Sequence, residues 1–396
     1  MSSTAIDPLQ YRVVPSARWK KSPLFWEFRR AGATGFGVYN HTLYAVDYAN
    51  QSREDEYSAV KTGVVLWDVS AERPTELTGP DAVQLMDLIT PRDMRSCEIG
   101  QCKYALICDE NGGIINDPVV LRLDEDRFWL CPSDSDLHLW MKGVRVGMGL
   151  DVEIRLTDVY GVQIQGPKSP DVLRVLAGDG VMSLRYYYCV EADIGEGIPT
   201  VITRTGWTGE VGFEIFLADP SRTPEFFECI VDAGRDFGMI PAAPNHIRRV
   251  EAGILNYQAD MDLTTNPYEV GLGWQVDLGK DRFIGKDALT RASQHIGRKL
   301  VGLEIQGERP PLEFQERWPI VRNQNPIGSV TMAVYSPTLD KNIALGIIDI
   351  AYSGPGGDVE VERAPSDQRS IATVVNLPFV DPSKTVPKTA LSANPD

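Results

Sequence analysis

The sequence predicts an α+β protein whose last quarter is a separate β-rich unit. The 396 residues leave room for two or three domains with cores of their own. Up to residue 294, strand-like runs and helix-like stretches are interspersed. Beyond it come short β-rich runs divided by Gly and Pro, which implies a C-terminal barrel or sandwich.

In chain order, residues 1–23 read as an irregular arm, and helices are expected over 23–31 and 54–62. The turn Thr78-Gly79-Pro80-Asp81 caps a helix over 82–89. Strands follow at 103–108, 114–123 and 127–131, then a helix at 134–147 and a strand at 159–165. Gly166-Pro167 leads into another helix, so a Gly-Pro step precedes a helix twice, a weak sign of two related subdomains. Residues 198–204 and 213–216 are strands joined by a glycine-rich bend. Helices are expected over 224–237 and 244–257; after 288–294 the composition turns β-rich, with strands over 300–305, 319–321, 328–333 and 344–348. The Pro/Ser/Lys-rich tail from 382 reads as disordered.

Composition narrows the function classes. The formal net charge of -16 repels phosphate backbones and anionic lipid, which makes nucleic acid and membrane surfaces poor partners. No secretory pattern and no apolar run of transmembrane length is visible. Six cysteines without a C-x-x-C pair, and four histidines distant from them, point to reduced thiols in a cytosolic protein and to no metal site.

Two segments carry chemistry. In Arg204-Thr205-Gly206-Trp207-Thr208-Gly209-Glu210-Val211-Gly212-Phe213-Glu214-Ile215-Phe216, alternation puts Glu214 and Phe216 on one strand face and Phe213 and Ile215 on the other. A carboxylate beside an aromatic wall suits a flat heterocycle offering paired N–H donors, although a plain hairpin with a solvated glutamate fits the pattern too. In the second segment, Asp109-Glu110-Asn111-Gly112-Gly113 turns, with Gly112 and Gly113 supplying positive φ, into Ile114-Ile115-Asn116-Asp117-Pro118. Alternation puts Asp117 with aliphatic residues, where an acid is costly unless paired or protonated; a bend facing solvent is the other reading.

These segments resemble the signatures of the aminomethyltransferase (glycine-cleavage T-protein) superfamily, R-T-G-Y-T-G-E-D-G-(F/Y)-E and N-E-x-G-G-(I/V)-(I/L)-D-D. Trp207 replaces the tyrosine, Val211 the aspartate and Asn116 the first of the paired acids. Residues 266–274, 283–289 and 328–346 resemble further family motifs, so the likeness spans residues 23–380. It implies a three-domain T-protein-like α+β fold with a C-terminal β-barrel: residues 1–65 and 156–285 as a discontinuous folate-binding domain, 66–155 as a second α+β domain, 286–380 as the barrel and 381–396 as a disordered tail. It implies tetrahydrofolate as co-substrate, with Glu214 pairing with the pterin, Tyr104 and Trp207 lining its pocket, and Asp117 near the reactive nitrogen.

Within the superfamily, aminomethyltransferases show G-x-G-A-R-D-x-L-R-x-E, and Asn245 stands where its first arginine would be. Residues 244–251, Val38-Tyr39-Asn40-His41, residues 66–73 and Asp134-Ser135-Asp136 resemble the folate-dependent dimethylsulfoniopropionate demethylase branch. The resemblance implies methyl transfer from a small sulfonium to folate N5, giving 5-methyltetrahydrofolate and methylmercaptopropionate. Its partners would be the small-molecule donor and, as protein, a second copy in a homodimer. Tyr39, Trp207 and Phe216 are expected at the donor, and Trp26 and Tyr186-Tyr187-Tyr188 are further aromatic candidates. The rivals are a true aminomethyltransferase, a demethylase for a quaternary ammonium or aryl methyl ether, and a non-catalytic folate-binding accessory protein. The last usually carries K-G-C-(Y/F)-x-G-Q-E, which is absent.

Overall fold

The computed structural model describes residues 16–311, 316–363 and 368–391. Its first α+β unit centres on a six-stranded sheet ordered Cys189–Ile194, Ile198–Thr203, Gly212–Leu217, Tyr160–Gln165, Val65–Asp68, Ile240–Pro241. The segment Gly212–Leu217 is buried on both faces. Phe213, Ile215 and Leu217 join Leu66, Val162 and Ile164 in a core shared with the helices Ser169–Ala177 and Thr223–Arg235. Phe216, on the opposite face, meets the second sheet.

That second sheet runs Glu153–Leu156, Thr75–Thr78, Arg127–Cys131, Val119–Asp124, Cys102–Tyr104, with the helices Ala82–Ile89 and Leu137–Met148 packed on it. Cys102, Leu121, Trp129 and Cys131 from this sheet pack against Cys189, Val201 and Phe216 from the first and against Val159 just before its strand Tyr160–Gln165. Burying each large side chain here contributes about 1.5–3 kcal/mol, and the contact holds the two sheets face to face. A small sheet, Lys20–Lys21, Thr42–Tyr48 and Ala33–Tyr39, covers one flank. The C-terminal unit is a closed barrel, Arg298–Ile305, Lys341–Asp349, Asn325–Ser336, Trp318–Arg322, Asp358–Arg363, Gln368–Val375.

The two Gly-Pro steps do share a backbone form. Gly79 and Gly166 have φ of +128° and +122°, and a Cβ on either would press on a backbone carbonyl, of Asp151 and Gly63 respectively. Asp81, however, does not cap its helix; its carboxylate accepts from the Asp151 amide at 2.8 Å. The helix expected over 244–257 spans only His246–Glu251 and gives way near Gly253, whose φ is +63°. The strand expected over 114–123 splits into Ile114–Asn116 and Val119–Asp124, because Pro118 cannot donate to a ladder. Of the paired glycines, only Gly112 has positive φ; Gly113 instead lies where a Cβ would strike the Leu263 carbonyl.

The barrel strands Asp358–Arg363 and Gln368–Val375 were not expected from sequence, since their exposed charged alternation hides the buried Val359, Val361, Ala372 and Val374. The disordered-tail expectation is corrected over residues 382–391. A short turn of 3-10 helix, Val386–Lys388, lies there, and the buried Arg204 guanidinium donates to the carbonyls of Pro387 and Thr389. Composition could not reveal that contact because it is made to main-chain carbonyls. Residues 392–396, and 1–15 of the expected arm, lie outside the described residues.

Candidate active site

Strand register builds the first half of the site. Across the six-stranded sheet, Thr203 pairs with Glu214, Glu214 with Gln163, and Gln163 with Trp67. Paired residues share a face, so one row of polar groups looks toward the second sheet. Glu214 accepts from Gln163 Nε2 at 2.6 Å and from the hydroxyls of Thr205 at 2.8 Å and Thr203 at 3.3 Å. Burial raises its pKa above the ordinary carboxylate value, and these donors oppose the rise. Gln163 gives one amide hydrogen to Glu214, while its Oε1 and the Trp67 indole N–H are buried with no partner among the described residues. Such orphans are costly in a folded protein, and here they lie in the wall of a cavity. The row therefore presents a carboxylate, a carbonyl oxygen and an N–H side by side, the complement of a flat heterocycle with adjacent donors and acceptors.

The break at Asp117-Pro118 supplies the second half. Asp117 is 8% exposed and accepts hydrogen bonds from Tyr104 Oη at 2.9 Å and from the Ser133 hydroxyl. Desolvation lifts its pKa to about 7 against those two bonds. The solvent-facing alternative is thereby excluded. Asn116, at the place of the family's first acid, accepts from the Ser133 amide at 3.0 Å and donates to the Ser133 carbonyl and the Ser135 hydroxyl. An aspartate could not make both donations. Asn40, with φ of +46°, ties the Tyr39 hairpin to the same loop through the Pro132 carbonyl and the Ser135 amide.

The glycine bend has its own steric reason. The Gln165 side chain threads it, donating to the Thr205 carbonyl and accepting from the Thr208 hydroxyl, and a Cβ on Gly206 or Gly212 would collide with its amide. The bend is anchored by Glu210, which binds Lys61 at 2.7 Å and the buried Arg248 at 2.9 Å. Trp207 donates to the Leu255 carbonyl at 3.2 Å and stands edge-on to His246. His246 accepts from Arg249, and burial beside that guanidinium pushes its pKa down to about 3, so it is neutral. Asn245 is buried and caps the helix His246–Glu251 through the Arg248 amide.

Asp117 and Glu214 line one cavity of about 350 Å³, together with Tyr39, Tyr104, Trp207 and Tyr187. Phe216 is corrected: it does not line the cavity but is wholly buried between the sheets, its ring 6.3 Å from Trp129. Alternation had put it rightly on the face of Glu214, but that face is filled by the second sheet at its position. Trp26 is half exposed beneath Lys21, and Tyr188 is half-buried outside the lining and bonded to Glu98, whereas Tyr186 joins the lining. Sequence reasoning missed Trp67 and Gln163, visible only through register, and Glu72, an acid inside the motif over 66–73. The tail contributes Val380, Asp381, Lys384 and Pro387.

Comparison with known proteins fits this construction. Residues 19–280 match the GCVT N-terminal domain and residues 298–381 the glycine cleavage T-protein C-terminal barrel domain. The chain belongs to the glycine-cleavage T-protein family. It is 35% identical to the dimethylsulfoniopropionate demethylase of Ruegeria pomeroyi, over 91% of this chain and 97% of that one. It is 34% identical to the aminomethyltransferase of Thermotoga maritima, with the same two coverages. It is also 34% identical to a trimethylamine-oxide aldolase of Ruegeria pomeroyi, covering 96% of this chain but 49% of that larger protein. The crystal structure of aminomethyltransferase T from Bartonella henselae superposes with a TM-score of 0.80 at 26% identity, covering 91% of this chain and 98% of that one.

The T-protein family transfers one-carbon groups with tetrahydrofolate, and that co-substrate and general reaction apply here. The residues fit it: the orphaned Gln163 oxygen and Trp67 N–H beside Glu214 are the partners that a pteridine edge would satisfy. No helix among the described residues is long and apolar enough to cross a membrane.

Proposed function

We propose that the protein is a tetrahydrofolate-dependent demethylase that moves a methyl group from a small methylated sulfonium, foremost dimethylsulfoniopropionate, to N5 of tetrahydrofolate. The observation that carries this is the shared cavity of Asp117 and Glu214 with its aromatic wall. The 35% identity to a dimethylsulfoniopropionate demethylase supports the donor.

Bound tetrahydrofolate supplies the nucleophilic N5. Glu214, Gln163 and Trp67 hold the pteridine edge, and Tyr104 holds Asp117. As the N–CH3 bond forms and the C–S bond breaks, sulfur keeps the bonding pair and leaves as a neutral thioether. The proton lost from N5 passes to Asp117, whose pKa of about 7 suits it to take and then release a proton near neutrality. Holding donor and acceptor at near-attack distance can supply about 7–11 kcal/mol of the barrier. Aromatic faces such as Tyr39 and Trp207 can hold an onium at about 0.5–2 kcal/mol each.

The aminomethyltransferase reading is less well supported, because Asn245 is a buried helix cap and Asn116 a loop clamp, both neutral. The deciding experiment incubates purified protein with tetrahydrofolate and dimethylsulfoniopropionate, glycine betaine, dimethylglycine or an aryl methyl ether, and assays 5-methyltetrahydrofolate. Product from the sulfonium is expected. Product from aryl ethers alone, or ammonia released from an aminomethyl-lipoyl carrier instead, would overturn the reading.

A further inference from the structure

Glu72 is used by none of the steps above, yet it lines the same cavity as Asp117 and Glu214. Its place is fixed from two sides. The Asp68 carboxylate, buried at the end of the strand Val65–Asp68, accepts from the amides of Ala45 and Ser70 and from the Ser70 hydroxyl, which sets the turn. The Glu72 amide closes that turn onto the Val69 carbonyl at 2.9 Å, and the Ala71 carbonyl is held by Asn40.

The carboxyl itself is treated unlike its neighbours. Asp117 has two hydroxyl donors, Glu214 an amide and two hydroxyls, Glu76 two arginines and an indole, and Glu210 a lysine and an arginine. Among the described residues nothing donates a hydrogen bond or offers a cation to the Glu72 carboxyl. The titratable groups that face it are Glu214 and Asp117, which raise its pKa after burial has done so, and Tyr39, Tyr44 and Cys131, whose own pKa values it raises in turn. All are acids. Tyr39 and Tyr44 meet edge to face at 6.0 Å and form an aromatic flank beside it. The three carboxyls do not converge as a metal site would, since no group of His, Cys, Asp or Glu among the described residues could hold a metal ion.

An acid without a partner, ringed by acids and aromatic faces, lacks one thing: an organic cation. Resting on the demethylase reading above, we propose that Glu72 selects a positively charged methyl donor. Before a donor binds, burial and its two acidic neighbours favour the protonated carboxyl. As the onium binds, the carboxyl releases that proton to solvent, and the carboxylate then pairs with the donor's charge. The preference serves binding rather than chemistry. The donor's charge disappears as the methyl leaves, so a counter-charge holds the bound donor more tightly than the transition state.

The test compares wild type, Glu72→Gln and Glu72→Asp as full-length proteins with dimethylsulfoniopropionate and an aryl methyl ether. For Glu72→Gln, KM for the sulfonium should rise about tenfold or more, as expected for a lost charged partner, with kcat unchanged or higher. Tetrahydrofolate affinity, read by fluorescence quenching, should hold. Glu72→Asp should recover part of the KM. In wild type KM should fall as pH rises through the Glu72 titration, and the variant should lose that slope. An unchanged KM, or a fallen kcat that marks Glu72 as a proton donor to a neutral ether, would overturn the proposal. Binding of tetramethylammonium, measured by calorimetry, separates this from the wider reading. If no donor is turned over, the demethylase reading fails, while tenfold weaker tetramethylammonium binding by Glu72→Gln would still uphold the cation site and equal binding would sink it.

Discussion

Replacing Asp117 by Asn should cost activity and add stability, a combination that a structural residue does not give. The carboxyl is lifted from 3.8 to about 7, chiefly by burial. That displacement corresponds to about 4 kcal/mol that an ionised Asp117 takes from the folded state at pH 8. The sign follows from proton binding. Between the unfolded carboxyl pKa near 4 and about 7, the folded state holds a proton that the unfolded state has lost, so this contribution falls as pH rises and is fully lost above about 7. Asparagine has no charge to desolvate. It keeps one acceptor oxygen for Tyr104 or Ser133 and strands the other hydroxyl, at about 1 kcal/mol. The variant should therefore be more stable by about 2–3 kcal/mol at pH 8, with most of that gain gone at pH 5. Its kcat/KM for methyl transfer should fall about a hundredfold or more, because the N5 proton has lost its acceptor. Urea unfolding at the two pH values and a 5-methyltetrahydrofolate assay measure both effects. Full turnover in a destabilised variant would refute the reasoning.

Glu214→Gln removes the charged acceptor from the polar row, so the Kd for tetrahydrofolate should rise about 10–100-fold by fluorescence quenching, with no loss of Tm, since the buried charge is also gone. Phe216→Tyr puts a hydroxyl between the two sheets and should cost about 1–3 kcal/mol in urea unfolding while leaving donor preference as it was; a switch in donor would return this ring to the substrate pocket. Truncation after Asp381 leaves Arg204 with the Leu184 carbonyl and strips Lys384 and Pro387 from the cavity wall. Its Tm should drop by about 2–8 °C and its tetrahydrofolate affinity should weaken, and an unaltered melt would show the tail to be idle.

Much of this is legible in the sequence, for reasons that differ by residue. Period-two alternation sufficed to put Glu214 opposite the Phe213–Ile215 core, because a strand has only two faces. Asp117 and Tyr104 could be singled out only by their likeness to a family, since alternation left the acid equally able to face water. Gln163, Trp67 and Glu72 gave no local sign at all. Gln163 lies 51 positions from the carboxylate it contacts, and only strand pairing brings them together. Phe216 shows the converse failure, for it is on the predicted face yet outside the cavity.

By itself, then, the chain determined most of its strands, its glycine bend and the face on which Glu214 lies, because these depend on backbone geometry over a few neighbouring positions. Tertiary structure alone decided which of those side chains meet. Packing Phe216 against Trp129 fills the space between the two sheets at that position and leaves a chamber at Glu214, while Arg204 draws a tail of unpromising composition into part of its wall. Contacts of that kind arise from shapes far apart in sequence, which no local periodicity records.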